Sequence, residues 1–294
     1  MRIGLEETRK VVDKAIECGI NFFDTADSYG NMGGSETLLG ETLGPRRNQI
    51  ILATKFSSPM QAGVTRKNSS RAYIMTAVEA SLRRLKTDWI DLYQMHYFDP
   101  LTPLEETLRA LDDLVHQGKV RYIGCSNFAT WQIVEAQWTS RHYNLHSFVT
   151  CQDEYSLLVR QIEQEKLPVM QAYGLGLLPY FPLASGMLTG KYTRDARPGS
   201  DTRFGAWKRL GDRYSTSENW AAVEALKEFA ESRGHSLTEL AFSWLLQHPN
   251  VASVIAGATK PEQVEQNAKA AAWQLSSEDL KTIDALPRGA APPL

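Results

Sequence analysis

Short apolar runs alternate with longer amphipathic stretches along the 294-residue chain. The short runs are rich in β-branched and aromatic residues, as strands are, whereas the longer stretches repeat their apolar positions with a helical period. Strands that alternate with helices in this way predict a parallel α/β sheet. The seven candidate strands are Ile20–Asp24, Ile50–Thr54, Ile90–Met95, Val120–Gly124, Phe148–Cys151, Gly176–Phe181 and Ala252–Ala256.

Two predicted helices carry clear signals. One apolar stripe consists of Ile74, Val78, Leu82 and Leu85, and a second consists of Leu104, Leu108, Leu111 and Val115. Thr102, Pro103 and Glu105 predict a capping box with proline at the first helical position, and Gly118 predicts the end of that helix. No linker-like or repeated segment divides the chain, so we expect one domain over residues 1–294.

Charge and hydropathy restrict the class of partner. The 32 Lys and Arg residues nearly balance 34 Asp and Glu residues, so no broad cationic surface is available for nucleic acid. No window reaches the roughly 18 consecutive apolar residues of a membrane span. Acidic residues in the first twenty positions argue against a secretory or transit signal. We therefore expect a cytoplasmic protein with a small-molecule partner.

The cysteines and histidines do not predict a metal site. Cys18, Cys125 and Cys151 are too far apart for a disulfide framework or a zinc knuckle, and we expect Cys125 and Cys151 to be buried packing thiols. His142 and His146 have a spacing of four that could ligate a metal, but no acidic or cysteine partner clusters with them in the sequence. We therefore expect no metal.

Polar residues recur at or just after the ends of the predicted strands. In a parallel barrel these positions build the active face. An ammonium group lowers the pKa of a neighbouring phenol, a carboxylate keeps that ammonium charged, and an imidazole can orient a carbonyl. The recurring residues are Asp24, Tyr29, Lys55, His96, Ser126, Asn127, Gln152 and Tyr180.

Six segments that include these residues strongly resemble the aldo-keto reductase family, in order and over nearly the whole chain. They are GINFFDTADSYG (19–30), ILATKF (51–56), IDLYQMHYFD (90–99), GKVRYIGCSNF (118–128), PYFPLASGMLTGKY (179–192) and GATKPEQVEQN (257–267). The resemblance implies a TIM (β/α)8-type barrel that reduces carbonyl compounds with NADP(H) and without metal. The family's catalytic tetrad matches Asp24, Tyr29, Lys55 and His96.

The resemblance also implies a set of cofactor-binding residues. Ser126, Asn127 and Gln152 match the residues that hold the nicotinamide carboxamide, and Tyr180 matches the aromatic residue beside the ring. The last motif is similar to the segment that holds the adenosine phosphate. The remaining expected cofactor-binding residues in the last two motifs are Phe181, Leu183, Ser185, Lys191, Gly257, Thr259, Lys260, Gln263 and Asn267.

Seven candidate strands leave one fewer than the eight of a complete barrel of this family. The chain opens on a predicted helix, Leu5–Cys18, so we expect the N-terminal first strand to be the missing element. In relatives that strand and its lead-in would occupy about 20 to 35 residues upstream of this helix.

The long irregular segment Lys191–Thr216 carries seven cations. It is either a loop that binds an anionic ligand or a solvent-exposed surface loop. Trp207 within it is a candidate substrate contact.

The sequence thus predicts an NADPH-dependent reductase of aldehydes or ketones, with Tyr29 as the general acid and with the oligomeric state left open. One alternative is a non-catalytic or regulatory barrel protein that binds the cofactor as a redox sensor. Another is a metal-dependent barrel hydrolase, for which the sequence offers no ligand cluster.

Overall fold

The computed structural model describes residues 3–60, 63–194 and 208–290. Arg197, Arg203 and Trp207 of the irregular segment lie outside the described residues, so the prediction of a substrate contact for Trp207 is not addressed by the structure.

Six strands form one sheet in the order β1 to β6. The pairs from β1 through β5 are parallel, which confirms the predicted α/β class of TIM type. The strands are β1 Phe22–Asp24, β2 Ile51–Phe56, β3 Ile90–Met95, β4 Val120–Ser126, β5 Thr150–Glu154 and β6 Gly176–Tyr180.

Helices connect the strands and continue after β6. None of the helices within the described ranges has the length and apolarity that a membrane span requires. The helices are α1 Leu5–Glu17, α2 Tyr29–Met32, α3 Gly34–Leu43, α4 Arg71–Leu85, α5 Leu104–His116, α6 Thr130–Tyr143, α7 Lys166–Tyr173, α8 Lys208–Tyr214, α9 Ser217–Ser232, α10 Leu237–Leu246, α11 Pro261–Ala270 and α12 Ser277–Ala285, with 3₁₀ turns at Gly44–Gln49, Gln161–Glu163 and Ala184–Thr189.

The chain divides into two compact units. The first contains Arg2–Asp153 and Gln164–Leu177, and the second contains Glu154–Glu163 and Leu178–Leu294. The expectation of a single domain over residues 1–294 stays a prediction.

The core of the first unit contains the two predicted apolar stripes. The α4 stripe is wholly buried, and in α5 three of the four stripe residues are buried while Val115 is half-buried. Cys125 and Cys151 are also buried, as expected for packing thiols.

The start of α5 differs from the predicted capping box. Thr102 donates its hydroxyl to Asp99 Oδ2 at 2.7 Å instead of accepting from the helix, and Pro103 is the N-cap rather than the first helical residue. Asp99 also accepts from the backbone N–H of Leu101 and Ser69, so this aspartate organises the turn. The predicted end is confirmed, because Gly118 follows the helix with φ of 72°.

The predicted strand bounds were wrong at several carboxyl ends. β2 continues to Phe56, β4 to Ser126 and β5 to Glu154, two or three residues beyond the apolar runs. The predicted strand Ala252–Ala256 is a single parallel bridge in the second unit, at which Ile255 donates its N–H to Pro179. One bridge residue does not make a ladder, so this segment is not a strand.

In the second unit, Arg213 has a structural role. Its guanidinium makes a bidentate contact with Glu154 at 2.6 and 2.7 Å, and both side chains are buried. This cation of the irregular segment is therefore already paired and is not free to clasp an anionic ligand.

We predict that Gly40→Ala destabilises the protein, because α3 and α4 approach closely at this glycine. A Cβ at position 40 would lie 2.8 Å from Leu85 Cα and still nearer to the carbonyl oxygen of Arg84. The expected loss is about 1–3 kcal/mol of unfolding free energy, measured by urea denaturation followed by circular dichroism. Gly34→Ala in the same helix is the control, since a Cβ there meets no atom within 4 Å. Equal stabilities of the two variants would contradict the prediction.

Candidate active site

Four polar residues meet at the carboxyl ends of the first three strands. Asp24 ends β1, Lys55 lies in β2, His96 directly follows β3, and Tyr29 opens the short turn α2. Lys55 Nζ lies 2.5 Å from Asp24 Oδ2 and 4.9 Å from the centre of the Tyr29 ring. The Tyr29 and His96 rings meet edge to face at 5.6 Å. The structure therefore brings the four predicted tetrad residues together within the first unit.

The ion pair between Lys55 and Asp24 lies beneath the other two residues. Lys55 is fully buried and also donates to the carbonyl oxygen of Thr25 at 2.9 Å. Burial alone would lower the pKa of Lys55, but the Asp24 carboxylate and the neighbouring Tyr29 raise it above its ordinary value. The second oxygen of Asp24 accepts from Gln94 at 3.1 Å and from Gln152 at 3.0 Å. The ammonium is therefore charged and held in place.

Tyr29 is the exposed member of the tetrad, with 41% of its surface accessible. A tight turn follows it, in which Gly30, Asn31 and Met32 all have positive φ. Gly30 is required there, because a Cβ would lie 2.5 Å from the backbone nitrogen of Ser35. This turn leaves the phenol open to a ligand while the charges below it stay buried.

His96 is buried and neutral. Burial and the charge of Lys55 lower its pKa to about 3. Its Nδ1 lies 3.0 Å from Ser58 Oγ, and its backbone carbonyl accepts from Asn127 at 3.1 Å. A neutral imidazole donates through one nitrogen only. When the Ser58 hydroxyl donates to Nδ1, the proton of the ring is on Nε2.

The predicted carboxamide-binding residues belong to the same cluster. Ser126 and Gln152 were predicted to lie just after their strands. Instead they lie inside β4 and β5, where they pair with each other in the parallel register. Asn127 has φ of 58° and donates its backbone N–H to the Gln152 carbonyl at 3.1 Å. Ser126, Asn127 and Gln152 thus form one hydrogen-bonded edge beside Asp24 and His96.

In the second unit, the backbone after β6 turns sharply. Phe181, Ala184, Ser185 and Gly186 all have positive φ, and Leu183 accepts the Gly186 N–H. The Ser185 hydroxyl is buried without a hydrogen-bond partner among the described residues. A Cβ on Gly186 would lie 3.1 Å from Lys191 Nζ, so the ammonium lies over this turn.

The predicted adenosine-phosphate segment surrounds the start of α11. Lys260 is the exposed N-cap residue, and Thr259 donates its backbone N–H to Gln263 Oε1 at 2.8 Å. Gly257 is exposed before the helix, and Asn267 is half-buried further along it. Tyr180, which ends β6 in the same unit, meets the Phe181 ring edge to face at 5.2 Å.

The sequence reasoning missed Gln94, Ser58 and Asp27. Gln94 lies inside an apolar strand and Ser58 two residues beyond one, so neither marks a strand end. A polar residue inside the IDLYQM run was the available signal for Gln94. Asp27 lies between Asp24 and Tyr29, and its Oδ1 is buried without a partner among the described residues.

The pKa of Asp27 is raised and that of His96 is lowered, so the two residues make the free energy of unfolding change with pH in opposite directions. Burial and the charge of Glu36 raise the pKa of Asp27 from 3.8 to about 7, so the folded state binds an extra proton between these pH values. This contribution to stability is lost as pH rises through that window. Between pH 6.5 and about 3, His96 is neutral in the folded state but protonated in the unfolded state. The free energy of unfolding therefore falls as pH falls through this window.

We predict that single variants expose these opposing slopes between pH 4.5 and 6.5. Relative to the unsubstituted protein, Asp27→Asn should gain unfolding free energy as pH rises, and His96→Gln should lose it. Each difference should be on the order of 2–3 kcal/mol across the window. Urea denaturation at a series of pH values measures both, and above about pH 8 the slopes should converge. Parallel pH profiles for all three proteins would contradict the assignment.

Comparison with known proteins identifies the family of the chain. The model of the aldo/keto reductase family matches residues 2–288. A probable voltage-gated potassium channel subunit beta of Oryza sativa subsp. japonica is 38% identical over 275 residues, covering 92% of this chain and 83% of the relative. The aldo-keto reductase YhdN of Bacillus subtilis is 37% identical over 281 residues, covering 94% and 82%. The L-glyceraldehyde 3-phosphate reductase of Escherichia coli K12 is 33% identical over 294 residues, covering 95% and 83%. The chain therefore belongs to the aldo/keto reductase family and is an oxidoreductase.

Proposed function

We propose that this protein reduces aldehydes or ketones to alcohols with NADPH, with Tyr29 as the general acid. The observation that carries the proposal is the exposed Tyr29 phenol beside the buried Lys55–Asp24 pair and the neutral His96. An acid that acts on a substrate must be reachable, and the charges that support it are most effective where water is excluded.

The described residues fit a nicotinamide cofactor. In the first unit, Ser126, Asn127 and Gln152 would hold the carboxamide. In the second unit, the buried Ser185 hydroxyl, which has no hydrogen-bond partner within the described part of the chain, and the Lys191 ammonium over Gly186 suit phosphate oxygens. The family resemblance also assigns Tyr180, Phe181 and Leu183 of the second unit to the cofactor, with Phe181 and Leu183 shaping the turn that follows β6. Gly257, Thr259, Lys260, Gln263 and Asn267 would hold the adenosine phosphate at the start of α11.

The chain's own residues handle the proton and the carbonyl oxygen. The cofactor, when bound, supplies the hydride to the carbonyl carbon. Tyr29 Oη donates a proton to the carbonyl oxygen as negative charge develops there. His96 Nε2–H donates a hydrogen bond to the same oxygen and fixes its direction. The Lys55 ammonium, kept charged by Asp24, stabilises the phenolate that Tyr29 becomes.

A regulatory cofactor-binding role is the second candidate, because three relatives are named as probable or putative voltage-gated potassium channel beta subunits. The complete tetrad favours turnover. Steady-state oxidation of NADPH with a panel of aldehydes and ketones separates the two functions. Tight cofactor binding with no turnover on any carbonyl would favour the regulatory role and overturn the proposed one.

We predict that Tyr29→Phe lowers carbonyl reduction by about 10²- to 10⁴-fold while the Kd for NADPH stays nearly unchanged. The hydroxyl acts on the substrate oxygen and not on the nucleotide. Tyr122→Phe is the matched control, because Tyr122 is an exposed tyrosine on β4, away from the tetrad contacts. Near-native kcat for Tyr29→Phe would show that another group is the acid.

We predict a modest preference for NADPH over NADH, carried by Lys260. A 2′-phosphate favours a cation at a helix N-terminus, and Lys260 is the only cation between Asn250 and Ala268. Lys260→Ala should raise the Kd for NADPH about tenfold and that for NADH much less, measured by fluorescence titration at low salt. Lys269→Ala, in the last turn of the same helix, is the control. Equal dissociation constants of the unsubstituted protein for the two nucleotides would disprove the preference.

A further inference from the structure

A cluster of two imidazoles and one carboxylate lies in the first unit, apart from the tetrad. Asp112 and His116 are four residues apart on α5, and His146 lies in the segment between α6 and β5. One ligand atom from each residue lies within 4.8 Å of the other two.

Asp112 is the fixed centre of this cluster. Its Oδ1 accepts from the backbone N–H of His146 at 2.8 Å and faces His146 Nδ1 at 2.6 Å. Its Oδ2 lies 3.2 Å from His116 Nδ1. These three contacts orient the carboxylate before any ligand arrives.

The two imidazoles remain accessible. Their side chains are 68% and 48% exposed, whereas that of Asp112 is 12% exposed. The rings of His116 and His146 lie 5.2 Å apart at an angle of 71°. The contact between Asp112 and His146 holds the segment against α5. His116 Nδ1 lies 3.0 Å from the backbone carbonyl oxygen of Asp112, which keeps the second imidazole beside the same carboxylate.

We propose that Asp112, His116 and His146 form a binding site for a borderline divalent cation of the zinc type. Two imidazole nitrogens and a carboxylate suit such an ion, whereas calcium and magnesium prefer oxygen ligands throughout. A tetrahedral zinc ion with bonds of about 2.0–2.1 Å needs ligand atoms about 3.3 Å apart. The Asp112–His146 contact of 2.6 Å would therefore open slightly on binding, and rotation of the exposed His116 side chain would close any wider separation within the 4.8 Å limit.

This site differs from the pair of His142 and His146, whose spacing of four in the sequence could also ligate a metal. Although these residues are four apart, α6 ends at Tyr143 and Asn144 has φ of 52°, so they do not share a helix face. His142 packs against the Tyr143 ring instead, at 4.6 Å. Asp112 and His116, by contrast, are four residues apart within α5 and therefore lie on the same face of that helix.

The location assigns the ion a structural role. His116 ends α5 just before β4 begins, whereas the tetrad lies at the carboxyl ends of the strands. A bound ion would join the end of α5 to the segment before β5. A cleft of about 440 Å³, lined in part by Val115, Arg121 and His146, leaves room for water as the remaining ligand.

The test is a titration of the whole chain, stripped with a chelator, with Zn²⁺ in competition with a chromophoric chelator. We expect saturable binding of one Zn²⁺ per chain and an increase in Tm. His116→Ala should weaken binding by about tenfold or more, because it removes a ligand and leaves both hydrogen bonds between Asp112 and His146 intact. His146→Ala should do the same, and Co²⁺ should give the visible bands of a four- or five-coordinate site.

His142→Ala is the matched control, an exposed histidine close in sequence to the cluster. It should bind Zn²⁺ like the unsubstituted chain. Unchanged Tm of His116→Ala in chelator shows that its loss of binding is not a loss of folding. The proposal is overturned if no stoichiometric Zn²⁺ binds, if His116→Ala binds as the unsubstituted chain does, or if His142→Ala is weakened equally.

Discussion

A lysine ammonium without solvent exposure is stable only where a counter-charge and hydrogen-bond acceptors replace its water. Lys55 meets this requirement through Asp24 and the carbonyl oxygen of Thr25, and Asp24 is in turn held by Gln94 and Gln152. These residues come from β1, β2, β3 and β5 and the loop after β1. The hydrogen bonds around Lys55 therefore form only when these strands pair in the observed parallel register. Removal of either charge would leave the other buried and uncompensated, at a cost of about 3–5 kcal/mol.

The same constraint separates buried charge from exposed chemistry. Below the site, the ammonium is enclosed; above it, the turn at Gly30 leaves the Tyr29 phenol open. His96 stays neutral because it is buried beside a cation, so it can donate a hydrogen bond without carrying charge. Under the proposed function, Tyr29 would donate its proton beside the Lys55 ammonium, a positive charge that is fully buried and so is not screened by solvent.

A second group of buried charges supports the same strands. Glu36 is fully buried and accepts from Thr54 of β2 at 2.6 Å and from Arg84 of α4 at 2.7 Å, so it joins α3 to both. Asp27 lies within the field of Glu36, and the hydrogen bonds from the Ser28 backbone and, at 3.4 Å, from Tyr73 only partly offset the effects of burial and of that charge. The raised pKa of Asp27, which lies beside the ion pair of Glu36 and Arg84, therefore couples the stability of the folded protein to pH.

The order of the first six strands, the stripes of α4 and α5, and the recurrence of polar residues near strand ends were predictable from the sequence, because periodicity and strand-end polarity are local. Strand ends were not: β2, β4 and β5 continue past their apolar runs because Lys55, Ser126 and Gln152 are buried by partners from distant segments. Gln152 and Asp24 are 128 residues apart. The cluster of Asp112, His116 and His146 was hidden for the same reason. Sequence patterns report the conformation of each segment, whereas the partners of a buried polar group depend on which segments the folded chain brings together.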